Sequence, residues 1–211
     1  MTAPYTENYM AFLIDQAYLP AILTAAPMSD EEFAAFCNEH PDLSFETTAE
    51  GELLVRPHTF TLTGARNNEI SFQLQGWARR DQRGVAFDSS TGFVIPNGAR
   101  KSPDSAWVAK ERIAALDPET IHRYWRICPD FVIELKSESD RPRALRAKMK
   151  EWLANGAQLG WLIDQETRTV EIYRQGRDHA EVLADPVAVS GEGPVEGFVL
   201  ELPPVWNPLG V

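Results

Sequence analysis

One short stretch in the second half of the chain constrains the fold more than any other. Residues 130–135 read Asp-Phe-Val-Ile-Glu-Leu, in which the apolar run that follows Asp130 is interrupted only by Glu134. A run this short, rich in β-branched and aromatic residues, is typical of a strand buried for most of its length. A carboxylate in a buried strand is uncommon unless another group partners it. The sequence therefore predicts that Glu134 meets other polar side chains from distant parts of the chain.

The elements predicted around this strand alternate between helix and strand. Hydrophobic periodicity and turn signals place helices over about 30–40, 65–80 and 142–155, and further strands over 45–57 (a hairpin), 84–87, 92–96, 104–108, 159–163 and 169–173. This order predicts one α/β domain with a mixed sheet over residues 28–211. Residues 1–27 are expected to form an arm that lies over the core or packs on a partner subunit.

The charge of the chain is unevenly distributed. The sequence has 31 acidic and 20 basic residues, a formal net charge of −11. Residues 1–55 contain no Lys or Arg, so the rest of the chain is nearly neutral. An acidic protein is a poor general binder of nucleic acid, but local basic patches on a neutral body still permit it.

Other classes of protein are disfavoured by what the sequence lacks. It has no uncharged apolar run of 18 residues, which argues against a membrane span. No Lys or Arg precedes the apolar segment at 11–26, so we expect no secretory signal. Two cysteines form no disulfide framework, which favours a reducing cytoplasm. The four histidines lack zinc-ligand spacing, and no phosphate-binding glycine loop or nucleophile elbow is present.

Two acids are candidates for a metal site. Side chains alternate along a strand, so Glu134 and Lys136 share a face, whereas Asp130 lies about 13 Å away along the strand. Asp104 begins the strand predicted at 104–108. If that strand runs antiparallel to 130–136, Asp104 lies beside Glu134 and Lys136. Two carboxylates suit Mg²⁺ or Mn²⁺, and a lysine can orient water or stabilise charge on a phosphate. The implied reaction is metal-assisted hydrolysis of a phosphodiester.

These residues resemble the D…(D/E)XK signature of the restriction-endonuclease-like nuclease superfamily. More specifically, the chain resembles the Uma2 family of endonucleases. The motifs that carry this resemblance are Phe87-Asp88-Ser89-Ser90-Thr91-Gly92-Phe93, Ser102-Pro103-Asp104, Cys128-Pro129-Asp130-Phe131-Val132-Ile133-Glu134-Leu135-Lys136-Ser137 and Gly160-Trp161-Leu162-Ile163-Asp164. The resemblance implies an α/β fold with a restriction-endonuclease-like mixed central β-sheet flanked by helices. Lys136 fits the superfamily pattern more closely than the hydrophobic residue that many family members carry there.

Several supporting residues have two interpretations. In this superfamily an early helix often supplies an acid to the metal site, and Glu69 is the candidate, although it also suits a solvated helix face. Asp88 either contacts metal or substrate or caps a turn. Asp130 is expected to cap its strand. The helix predicted over about 142–155 is rich in basic residues. Its candidates Arg141 and Lys148 either contact a phosphate or lie on a solvated face.

The leading hypothesis is an Mg²⁺- or Mn²⁺-dependent DNA endonuclease, with Asp104 and Glu134 holding the metal, Lys136 positioning water and Glu69 assisting. A homodimer would place two sites to cut both strands of a duplex. One rival is a catalytically inactive module of the same fold that binds DNA or a protein partner. Another is a structural or toxin-neutralising partner protein that uses its acidic N-terminal region as a decoy for a basic surface.

Overall fold

The computed structural model describes residues 21–24, 26, 28–56 and 58–210. The strands in this part of the chain are β1 (Ala21–Leu23), β2 (Ser44–Thr47), β3 (Leu53–Arg56), β4 (Gly84–Asp88), β5 (Phe93–Val94), β6 (Arg100–Lys101), β7 (Ser105–Ala109), β8 (Phe131–Lys136), β9 (Leu159–Asp164), β10 (Thr169–Arg174), β11 (Glu181–Ala184), β12 (Ala188–Ser190) and β13 (Val199–Glu201). The helices are α1 (Asp30–Glu39), α2 (Thr61–Asp81), α3 (Lys110–Ala114), α4 (Pro142–Ala154) and α5 (Pro203–Trp206).

Six strands form the central sheet, in the order β11-β10-β9-β8-β7-β4. β7 lies between β4 and β8 and is antiparallel to both, and Ser105 of β7 lies opposite Ile133 of β8. α4 then carries the chain over to β9, which is parallel to β8. The predicted α/β fold, with a mixed central sheet flanked by helices, is confirmed.

The alternation of side chains along β8 determines the side of the sheet to which Glu134 projects. Phe131, Ile133 and Leu135 belong to the core that packs under α2 and the C-terminal segment. Val132 belongs to the other core, which packs under α4. Because alternate residues face opposite sides of a strand, Glu134 projects toward α4.

α4 lies close against the sheet. It begins with Pro142 at its first turn, a favoured position for proline, and buries Leu145, Met149 and Trp152. At Gly160 of β9, an added Cβ would lie 2.4 Å from the Cε of Met149. The space left by the missing side chain at Gly160 is occupied by the methyl group of Met149 from α4.

A smaller sheet, in the order β1-β3-β2, packs against α1. The predicted capping box of α1 is present, with Ser29 and Glu32 bonded reciprocally. Asp30 pairs with Arg100 and Arg126 of the main body, so part of the N-terminal acidity is neutralised within the fold. Residues 21–23 of the predicted arm form β1, and the arm at 1–20 lies outside the described residues.

Two boundaries differ from the sequence prediction. α2 begins at Thr61 rather than near residue 65, because Gly64 sits in its first turn and still bonds to the Phe60 carbonyl. The strand predicted at 92–96 is only two residues long, since a turn with Gly98 at φ 91° follows at once. Among the described residues, no helix is long and apolar enough to cross a membrane.

Candidate active site

A cavity of about 350 Å³ opens at the carboxyl end of β8. Asp104 and Glu134 both line it. Side chains from residues 56–67 form one wall, and Ser139 and Asp140 from the loop after β8 contribute to the other. The two acids chosen from the sequence therefore face one cavity, although they are 30 positions apart in the chain.

Asp104 is fixed at the start of β7 by two hydrogen bonds. The backbone N–H of Leu135 donates to its Oδ2 at 2.7 Å, and the side-chain amide of Asn67 donates to its Oδ1 at 3.0 Å. Burial raises the pKa of this carboxyl above its ordinary value, and the bond from Leu135 only partly opposes that effect. The antiparallel pairing of β7 with β8 thus delivers Asp104 to the end of the strand that carries Glu134.

Glu134 is almost completely buried and is held from α4. The indole N–H of Trp152 donates to Oε1 at 2.8 Å, and the ammonium of Lys148 contacts both oxygens, at 2.9 Å and 3.1 Å. Burial raises the pKa of Glu134 to about 7, even though Lys148 acts to lower it. Glu134 consequently takes up or releases a proton near neutral pH.

Lys148 connects Glu134 to an acid that the sequence analysis did not select. Its Nζ also donates to Glu46 Oε1 at 2.9 Å and to the carbonyl of Ser102 at 2.8 Å. Burial lowers the pKa of Lys148, but Glu134 and Glu46 together more than offset this, and the net pKa lies above the ordinary lysine value. Lys148 is therefore a charged ammonium between two buried carboxylates.

Glu46 comes from β2 of the smaller sheet, 88 positions before Glu134. Burial acts to raise its pKa, but Lys148, Arg56 and Lys101 outweigh that effect and bring the pKa below its usual range. Arg56 lies 3.8 Å from Glu46 and also lines the cavity. The only hint in the sequence was strand alternation, because Phe45 faces the small core and its neighbour must face the other way.

The ammonium group of Lys136 lies outside the candidate site. Its Nζ donates to Glu166 Oε2 at 2.6 Å and lies 3.9 Å from Asp164, both at the end of the neighbouring parallel strand. It does not line the cavity that contains Asp104 and Glu134. Within the described residues, the lysine in contact with Glu134 is Lys148 of α4.

On α2, the residue that meets the site is Asn67 rather than Glu69. Asn67 is buried, lines the cavity and donates to Asp104. Glu69 is half-buried and accepts a bond from Gln73 on the same helix. The inward face of α2 carries Asn67 with Ile70 and Leu74, and Glu69 lies off that face.

Neither of the two remaining substrate-binding candidates, Asp88 and Arg141, lines the cavity that contains Asp104 and Glu134. Asp88 is exposed and accepts bonds from the backbone and hydroxyl of Ser90 and from the Thr91 hydroxyl, which is the turn-capping arrangement. Arg141 is exposed at the N-cap of α4 and lines a second cavity of about 720 Å³, together with Lys148 and Arg56. That second cavity shares Arg56 and Asp140 with the first.

Asp130 directly precedes β8 and has a structural role at the amino end of that strand. It is buried and accepts bonds from the backbone of Ala109, from Arg112 and from the side-chain amide of Gln158. This agrees with the strand-capping role expected from the sequence.

The residues at the cavity suit a hard divalent cation. Two carboxylates, Asp104 and Glu134, face it, and the Oδ1 of Asn67 is buried there without a hydrogen-bond partner. Carboxylate and amide oxygens are the ligands that Mg²⁺ and Mn²⁺ prefer. Within the described part of the chain, no cluster of three or more His, Cys, Asp or Glu side chains suited to a metal is present, so water or substrate would complete the coordination.

The chain matches a protein-family model and also matches solved structures. The family model for Uma2, described as "Putative restriction endonuclease", matches residues 30–203. A crystal structure from Anabaena variabilis, described as "a putative nuclease belonging to DUF820", has a TM-score of 0.68 at 22% sequence identity and covers 85% of this chain and 98% of its own. At that identity the likeness shows the fold. Among curated proteins, none matches the chain.

Proposed function

The chain belongs to the Uma2 restriction-endonuclease family, and from this we propose that it is a metal-dependent endonuclease that hydrolyses DNA phosphodiesters at the cavity over Asp104 and Glu134. The observation that carries the proposal is the convergence of these two carboxylates in one cavity with a buried ammonium in contact with one of them. The nuclease-like fold supports the same conclusion.

The residues present fit Mg²⁺ or Mn²⁺. Asp104, Glu134 and the free carbonyl oxygen of Asn67 would hold the ion. When bound, such an ion supplies positive charge to the phosphate and lowers the pKa of a water molecule. The hydrogen bonds from Leu135 and Trp152 fix the two carboxylates in place beforehand, which lowers the cost of ordering them.

Lys148 takes the role that the sequence analysis gave to Lys136. Its contact with both oxygens of Glu134 orients that carboxylate, and its charge is suited to stabilise negative charge that develops on the phosphate. Glu46 acts as a positioning residue because it holds the other side of the ammonium. Arg141, at the rim of the adjoining cavity, is placed to contact a neighbouring phosphate of the backbone.

DNA as the substrate is proposed from the family, and a homodimer from the need to cut two strands. Each chain contains both carboxylates of its own site, so a dimer would carry two complete sites. Sedimentation or light scattering of the purified chain, with and without a DNA duplex, measures the assembly directly.

The experiment that tests the proposal is plasmid nicking in Mg²⁺ or Mn²⁺. We expect the wild-type chain to convert supercoiled plasmid to nicked and linear forms, and Glu134→Gln and Asp104→Asn to lose this activity. Glu138→Gln is the matched control, since Glu138 is exposed in the loop after β8 and does not line the cavity. Equal nicking by wild type and Glu134→Gln would reject the assignment.

One observation favours the non-catalytic alternative. Lys148 already contacts both oxygens of Glu134, an arrangement that also suits a purely structural buried ion pair. Titration calorimetry with Mn²⁺ separates the two functions. The nuclease requires binding of the ion that is lost in Asp104→Asn, whereas a binding module of the same fold requires none.

A further inference from the structure

An exposed aromatic side chain stands at the mouth of the candidate active site. Phe60 is 65% exposed, yet it lines the same cavity as Asp104 and Glu134. It occupies the N-cap of α2, where its side chain makes no capping hydrogen bond. Neither burial nor capping explains a phenylalanine at this position.

The surroundings of Phe60 suit a nucleotide. Arg56 and His58 line the same cavity, and the first turn of α2 carries no acidic residue. Proteins bind single-stranded nucleic acids with aromatic side chains close to cationic groups. A base stacks on the aromatic ring and a phosphate contacts the cation. The cavity, at about 350 Å³, is near the lower end of the range for small-ligand sites and accommodates one nucleotide unit rather than a duplex.

We propose that Phe60 is a stacking platform for one unpaired nucleobase next to the phosphodiester that is cut, and that the preferred substrate is single-stranded DNA or a duplex that is locally unpaired at the cut. The proposal rests on the proposed nuclease function and adds the class of substrate. A base inside a duplex is stacked on both faces and offers none to Phe60. An unpaired base, at a flap, bubble or free strand, has a face available.

The same helix provides a matched control. Phe72 of α2 is 70% exposed, but it does not line the cavity. Replacing Phe72 removes an exposed phenylalanine of the same helix without changing the site. Any effect specific to Phe60 is then due to its position and not to general hydrophobicity.

The test measures binding separately from cleavage. Fluorescence anisotropy in Ca²⁺ compares a 15-nucleotide single strand with the corresponding blunt duplex, and gels check that the oligonucleotides stay intact. We expect wild type to bind the single strand more tightly. Phe60→Ala should weaken single-strand binding about tenfold, whereas Phe60→Trp and Phe72→Ala should keep it. A 2-aminopurine in the strand should be quenched by wild type and Phe60→Trp and not by Phe60→Ala.

The outcomes distinguish this proposal from the nuclease proposal. Equal single-strand affinity of wild type and Phe60→Ala, or an equal loss in Phe72→Ala, would overturn the stacking role. Tighter binding of the duplex than of the single strand would overturn the substrate class. Because binding is measured without hydrolysis, absence of plasmid nicking by the wild type would contradict the nuclease proposal and leave the binding result readable.

Discussion

The ammonium nitrogen of Lys148 lies 2.9 Å from Oε1 of Glu134. This contact joins α4 to the central sheet at the candidate site. It is the helix, and not the strand that carries the acid, that provides the amine. The consequences of this arrangement can be measured with single substitutions.

The first prediction separates the two lysines. We expect Lys148→Met to lower the nicking rate at least about a hundredfold, because Glu134 loses the cation that contacts both of its oxygens. Lys136→Met should keep the rate within about threefold, since Lys136 pairs with Glu166 outside the cavity. Initial rates of plasmid nicking in Mg²⁺ provide the measurement.

Lys150→Met is the control, because Lys150 lies on the same helix and is exposed. Removing Lys148 leaves two buried carboxylates without their shared cation, so rates must be compared per folded molecule after circular dichroism. A larger loss in Lys136→Met than in Lys148→Met would show that the strand lysine is the active one.

The second prediction concerns Glu46. We expect Glu46→Gln to lower kcat about tenfold with little change in KM, because Glu46 positions Lys148 without reaching the substrate. Glu46→Asp should recover part of the rate. Glu50→Gln, at the exposed turn of the same hairpin, is the control. An unchanged kcat in Glu46→Gln would leave Glu46 with a structural role only.

The third prediction concerns the unpartnered oxygen of Asn67. Asn67→Leu removes that oxygen and the hydrogen bond to Asp104, so we expect Mn²⁺ affinity to fall about tenfold. Asn68→Leu, the exposed neighbour on α2, should bind as wild type does. Calorimetry gives both affinities, and equal values for the two variants would place the ion away from Asn67.

The fourth prediction is a pH dependence. Burial raises the pKa of Glu134 to about 7, and an ion binds the deprotonated carboxylate. Mn²⁺ affinity should therefore reach a plateau above pH 8 and fall by up to about tenfold for each pH unit below 7. Calorimetry in buffers of different ionisation enthalpy should detect proton release near pH 7. An affinity that is constant from pH 6 to 8 would contradict the prediction.

The same raised pKa affects stability. Glu134 holds its proton more tightly folded than unfolded, so its stabilising contribution is complete below about pH 4.5 and is lost as pH rises through 7. Glu134→Gln lacks this term. Its free energy of unfolding, relative to wild type, should increase between pH 5 and 8 in urea titrations.

The fifth prediction assigns Asp130 to stability. Its buried carboxylate accepts bonds from Ala109, Arg112 and Gln158, so Asp130→Asn should cost about 3 kcal/mol of unfolding free energy. Asp117→Asn, which alters an exposed capping acid, should cost less than about 1 kcal/mol. Urea denaturation measures both. Nicking per folded molecule should be unchanged in Asp130→Asn, and a selective loss of activity would give Asp130 a direct role.

Local pattern was sufficient for the strand at 131–136, the helix after it and the antiparallel approach of Asp104. Local pattern was insufficient to predict the contacts of Lys136. These contacts depend on the parallel register that places Lys136 opposite Asp164 and brings Glu166 near. Register between strands joined by a helix depends on packing across the whole sheet. Asn67 was not predicted for a related reason. Which face of α2 points inward is determined by the packing of the helix against β4 and the C-terminal segment.

Strand alternation alone is not enough to select Glu46 from the sequence. Glu46 is one of ten acidic residues in the first 55. Only the packing of the smaller sheet against the main body brings Glu46 to Lys148. Among the described residues of that segment, Asp30 meets arginines of the main body, whereas the exposed acids are Glu31, Glu32, Glu39, Asp42 and Glu50. Net charge averaged over a segment therefore hides the single carboxylate that matters for the site.

The clustered charges are divided between two sheets, with Glu46 on one and Glu134 on the other. During synthesis the ribosome delivers Glu46 first, Glu134 next and Lys148 last, when three of the six strands of the central sheet have been made. A nascent or truncated chain that ends before α4 has no amine to join the two acids. The charge cluster of the proposed nuclease site is thus completed only after α4 has been made and the two sheets have come together.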